Sequence, residues 1–138
     1  MRLTLVRAGL CGALLAGPAG AADYVLSIED TGKRDYYCQI MVALENRTDT
    51  ALTEISGHFF SFVGAEQVGR SKGAWFMNVA PGGRAEATFE TPNAPCAAVE
   101  RYTFVVGACR LGAGFEPQAV CAERMSGGTV IDIVAPAD

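Results

Sequence analysis

The apolar positions of this chain recur every second residue, and turn residues interrupt them at short intervals. Such alternation marks half-buried β-strands, and no stretch after Ala22 keeps the 3.6-residue period of a helix for a useful length. Tyr24, Leu26 and Ile28 alternate with smaller or polar neighbours, and Asp30-Thr31-Gly32-Lys33 reads as a turn. Cys38, Ile40, Val42 and Leu44 define one face of the cleanest strand, which closes on the polar turn Asn46-Arg47-Thr48-Asp49. A third run spans about Leu52 to Val63 and carries Phe59, Phe60 and Phe62. The glycine-punctuated stretch from Gly64 to Gly73 reads as a loop, and Trp75, Met77 and Val79 read as the next alternating face. Pro81-Gly82 suits the centre of a type II turn, where glycine accepts positive φ. Ala85, Ala87 and Phe89 follow as a strand. Thr91 to Pro95 is a connector, and the Asn93 to Val99 segment has room for a short helical turn. Tyr102–Val106 and about Thr129–Val134 complete the set. About seven short strands at this spacing predict an all-β fold, a sandwich of two antiparallel sheets.

The N-terminus has a different character. Arg2 and Arg7 precede a short apolar run from Ala8 to Leu15, and small residues lead to Ala22. A basic start, an apolar middle and a small-residue end predict a signal peptide over residues 1–22, leaving one domain over 23–138. The run is short of the ~20 residues that span a bilayer. Cys11 falls inside this leader. Export changes the reading of both charge and cysteine. All fifteen acidic residues follow Ala22 and meet nine basic ones there, a net charge of −6 for that part. This balance argues against a nucleic-acid binder and against an anionic membrane surface as partner.

Four cysteines remain after the leader: Cys38, Cys96, Cys109 and Cys121. An even count in an exported chain predicts two disulfides, for which three pairings exist. The strand layout suggests one of them. If the Cys38 strand pairs antiparallel with the Ala85–Phe89 strand, Cys38 comes close to Cys96. Cys109 ends one strand and Cys121 lies near the next, so this second pair would close the base of a long hairpin. On a loop-entropy account each bridge stabilises the fold by roughly 3–4 kcal/mol.

Three pieces in order carry a resemblance: Leu44-Glu45-Asn46-Arg47-Thr48, then Phe59-Phe60-Ser61-Phe62-Val63-Gly64-Ala65-Glu66, then Val79-Ala80-Pro81-Gly82-Gly83-Arg84 leading into a strand. Over about residues 36–108 the sequence resembles the small immunoglobulin-like modules of bacterial envelope proteins of the FxLYD type. The resemblance implies an immunoglobulin-like sandwich and no catalytic residues, and the bacterial character of the leader and composition predicts a periplasmic location.

Several motifs invite chemistry. Asp30-Thr31-Gly32, with Phe104-Val105-Val106-Gly107 later, mimics a single-lobe aspartic protease, whose chemistry needs two such carboxyls sharing a proton across a twofold axis. Only seven residues separate Asp30 from the expected cleavage site after Ala22, and Lys33 and Arg34 stand where an apolar strand should begin. His58 is the single histidine, so any nucleophile–histidine site must use it. Copper held by His58 with Met41 or Met77 would suit the ligand types but lacks motif spacing. Gly69-Arg70-Ser71-Lys72-Gly73 is basic and glycine-flanked without the spacing of a P-loop. Asn46-Arg47-Thr48 matches a glycosylation sequon. No cofactor motif emerges.

The segment from Cys109 to Cys121 is the favoured recognition element. Closed by a disulfide, it would present Arg110, Leu111, Phe115 and Glu116 on a pre-ordered loop, which lowers the entropy cost of binding. Leu111 and Phe115 either project as anchors or fold back onto the end of the sandwich. Arg70, Lys72 and Trp75 are the second candidate group. Together these residues predict a non-enzymatic module that binds another periplasmic or envelope protein by its end loops or a sheet edge. The competing expectation is a small redox, metal-binding or ligand-carrying protein.

Overall fold

The computed structural model describes residues 21–34, 37–92 and 96–137. The expected leader and Cys11 therefore lie outside the described residues. Eight strands form two four-stranded sheets packed face to face. They are β1 (Tyr24–Arg34), β2 (Tyr37–Asn46), β3 (Leu52–Val63), β4 (Glu66–Val79), β5 (Arg84–Pro92), β6 (Arg101–Arg110), β7 (Met125–Ser126) and β8 (Ile131–Val134). One sheet has the order β5-β2-β1-β7 and the other β4-β3-β6-β8. The arrangement of β5-β2-β1 over β4-β3-β6 is immunoglobulin-like.

The core follows from the alternation. Ile40, Val42 and Leu44 of β2 are fully buried, as are Leu52 and Ile55 of β3 and Phe76 of β4. At its centre Phe59 stacks on Phe89 with ring centroids 4.9 Å apart, and Phe104 lies 4.7 Å from Phe59. Aromatic pairs at these separations add to the gain from area burial alone. Cys38 pairs with Cys96 and Cys109 with Cys121. The first bridge is where the strand layout puts it, because β2 and β5 pair antiparallel with Ile40 opposite Phe89 and Cys38 opposite Thr91. Gly82 takes a positive φ of 68° in the Pro81-Gly82 turn, and Gly83 N–H closes that turn on the Ala80 carbonyl.

Several elements differ from expectation. Residues 66–73 are strand, not loop: β3 and β4 form one long hairpin that turns at Gly64-Ala65, with Val63 opposite Glu66. The partner strand supplies the ladder that the weakly β-prone segment does not specify alone. Asp30-Thr31-Gly32 is likewise strand, because β1 continues past an irregularity between Ile28 and Asp30 and pairs with Gln39 to Met41. Trp75 and Met77 point outward, whereas Ala74, Phe76 and Val79 point into the core. Asn78, at a positive φ of 52°, interrupts the alternation so that Val79 and Met77 face opposite ways. A one-residue irregularity of this kind reverses every side chain beyond it.

Cys121 does not sit in a hairpin. It lies on a seven-residue helix, α1 (Gln118–Arg124), that packs beside β6. Loop and helix together form a crossover, and the last two strands consequently pair in parallel, β7 with β1 and β8 with β6. Parallel neighbours need a connection of this kind, and the remaining pairings are antiparallel. The helical turn anticipated in the connector is a short 3-10 segment at Cys96–Ala98.

Candidate functional site

The outer face of the β4-β3-β6 sheet is built in cross-strand rows. Glu54 on β3 stands opposite Met77 on one side and Arg110 on the other. Ser56, two residues on, stands between Trp75 and Ala108. His58 stands opposite Gly73 and Val105. Directly opposed residues of a sheet share a face, so these rows form one surface.

Arg110 is the hinge of that surface. Its Nη1 lies 4.0 Å from Glu54 Oε2, and Glu54 also accepts a 3.0 Å hydrogen bond from the Ser56 hydroxyl. The guanidinium carbon sits 5.0 Å from the centre of the Phe115 ring, a cation–π contact. Arg110 Nε is buried without a hydrogen-bond partner among the described residues. Phe115 itself is 72% exposed. The disulfide at Cys109, the Glu116 N–H to Cys109 carbonyl bond of 2.7 Å and the Thr53 hydroxyl to Gly112 carbonyl bond of 2.9 Å hold the loop that carries it.

Leu111 and Phe115 thus part company. Leu111 is half-buried and packs on the core, whereas Phe115 projects. Glu116 is exposed on the same loop. Trp75 is 62% exposed and Met77 51%, and both belong to the same sheet face. Gly73 explains how the indole lies: a Cβ there would stand 2.6 Å from the Trp75 ring, so the ring occupies the space that a side chain at residue 73 would take. The structure therefore joins Trp75 to Arg110 and Phe115 through Met77, which the alternation had already set beside Trp75, and through Glu54, which no sequence reading singled out.

Arg70 and Lys72 lie elsewhere. Arg70 is exposed on β4, and Lys72, opposite Phe59, lines a shallow cleft of about 450 Å³ with Gln39, Gly73, Thr88, Phe89 and Glu90. Neither belongs to an ion pair among the described residues.

The motifs that suggested chemistry are placed as follows. Asp30 is an exposed strand residue opposite Met41. His58 is exposed on β3, while Met41 belongs to the other sheet and Met77 is two rows away across Trp75. Among the described residues no three histidine, cysteine or acidic groups cluster as metal ligands. Both sulfurs of the Cys109–Cys121 bridge belong to almost fully buried residues, closed to an attacking thiolate while the domain is folded, whereas the Cys38–Cys96 bridge joins a fully buried residue to the partly buried Cys96. Asn46 is fully buried and its amide is engaged on both sides, so this fold has no room for a glycan there. No described helix is long and apolar enough to cross a membrane.

Comparison with protein-family models, with curated proteins and with solved structures finds no match to this chain. The surface must speak for itself.

Proposed function

We propose that this protein is a non-enzymatic, exported module that binds another protein of the bacterial envelope through the outer face of its β4-β3-β6 sheet and the adjoining Cys109–Cys121 loop. One observation carries the reading: the three most exposed large apolar side chains among the described residues, Phe115, Trp75 and Met77, are linked on one surface by Arg110 and Glu54. Single exposed apolar residues are ordinary, but a linked group on a rigid support marks an interface. Aromatic and arginine side chains dominate the energetics of such surfaces. The support is stiff, because the disulfide and two loop hydrogen bonds fix Phe115 before any partner arrives, which lowers the cost of association. The leader pattern and the two disulfides support an exported, periplasmic site of action. The resemblance to FxLYD-type envelope modules points the same way.

The test is capture of binding proteins from an envelope extract of the source cells by the tagged mature protein, alongside its Phe115→Ser and Met77→Ser variants. A stoichiometric partner that is held by the unaltered protein and lost by both folded variants supports the reading. A partner held equally by all three, or none at all, overturns it.

A further inference from the structure

The same surface ends on a sheet edge, and the four edges of the sandwich are not alike. β7 and β8 are two and four residues long. β5 is long but carries the exposed charges Arg84, Glu86 and Glu90. β4 is the longest strand, and from Gly73 to Val79 it has no charged residue. Natural sheets guard their edges with brevity or charge, and this stretch has neither.

We infer that β4 is the docking edge for an extended segment of the protein partner, added as a ninth strand, with apolar side chains beside Trp75 and Met77 and acidic side chains beside Arg70 and Lys72. The inference rests on the protein-binding reading above and gives the partner its chemistry. An added strand sends alternate side chains to the two faces of the sheet. On the outer face they meet Trp75 and Met77. Towards the Lys72 end of the strand they meet the shallow cleft that Lys72 lines with Gln39, Thr88 and Glu90, which offers polar contacts. Arg70 and Lys72 have no anionic partner among the described residues, although the protein carries more acidic than basic residues. Arg70 and Trp75 are five residues apart, about 17 Å along a strand, so a segment of seven or eight residues spans both groups.

The probe is a synthetic ten-residue peptide of alternating Val and Thr with an Asp pair at one end, made in both orders, together with the corresponding Lys-pair peptides. Trp75 is the only tryptophan and reports directly by fluorescence. In one order the Asp peptide binds the mature protein at least tenfold more tightly than its Lys counterpart, shifts Trp75 emission to the blue and slows amide exchange across Gly73–Val79. The Arg70→Glu/Lys72→Glu variant reverses the preference. Equal binding of the Asp and Lys peptides, protection of another edge, or no binding overturns the inference. So does exchange protection of β4 that grows with protein concentration in the absence of peptide, which would make the occupant a second copy of this chain. Peptide failure alongside a captured partner that Phe115→Ser releases would overturn only the edge docking and leave the function standing.

Discussion

The side-chain amide of Asn46 donates a 3.1 Å hydrogen bond to the carbonyl of Val79, 33 residues further along the chain. The same nitrogen reaches the Thr50 carbonyl at 2.9 Å and the Ala80 carbonyl at 3.2 Å. Asn46 Oδ1 in turn accepts from the Thr48 N–H and hydroxyl. One buried amide thus ties the end of β2 to its following turn and to the end of β4. Asn46→Asp keeps the shape and removes the donors, leaving backbone carbonyls unpaired. Because the new buried group is also a carboxylate facing three carbonyl oxygens, a loss of more than about 3 kcal/mol is expected at neutral pH, read as a lowered urea midpoint at unchanged slope.

Leu111 and Phe115 should separate in the same assay. Leu111→Ser removes a side chain that packs on the core and should cost about 1–2 kcal/mol. Phe115→Ser removes a projecting ring and should stay within about 0.5 kcal/mol. Equal losses would mean that Phe115 is packed as tightly as Leu111.

The two bridges should differ in weight. The Cys38–Cys96 bridge closes a separation of 58 residues and Cys109–Cys121 one of 12. Loop entropy assigns about 4 kcal/mol to the first and about 3 kcal/mol to the second. Paired Ser substitutions, compared by denaturant unfolding, check the order. The second pair should also free Phe115 from Arg110 and weaken partner binding even where the domain stays folded.

Alkaline pH should test the core. Burial raises the Tyr102 phenol above its ordinary value, because the ionised form is disfavoured there. Its contribution is therefore complete below the unfolded tyrosine value of about 10 and is lost as pH rises through the raised folded value. Stability measured between neutral pH and that range should fall, and Tyr102→Phe should flatten the fall.

Gly73→Val should displace the indole. The added Cβ would take the space of the Trp75 ring, whose far end can swing away, so the fold should survive. Trp75 emission should shift to the red and binding should weaken. Unchanged emission would place the ring elsewhere.

The legible and the hidden parts of this molecule divide along physical lines. Period-two runs such as Cys38, Ile40, Val42 and Leu44 declare both strand and buried face, because alternation follows from the pleat of a single strand. Most strands of the sandwich were within reach of that local rule, whereas the two disulfides followed from the even cysteine count and an assumed pairing of the Cys38 and Ala85–Phe89 strands. α1 was not: seven residues are too few to show a helical period, and the helix is held by its bridge to β6. Strand structure at residues 66–73 depends on the facing β3, which no local pattern reveals.

The binding surface shows the same division. Sequence alone nominated Phe115, Arg110 and Trp75 as chemistry suited to recognition, and set Leu111 beside them as an equal. Only tertiary structure packed Leu111 half-buried on the core, turned Met77 outward through the irregularity at Asn78, and placed Glu54 between Met77 and Arg110. The type and spacing of residues determine which strands form and which face each one buries. Which residues become neighbours is decided by strand register and crossover, since these depend on contacts between segments far apart in the chain.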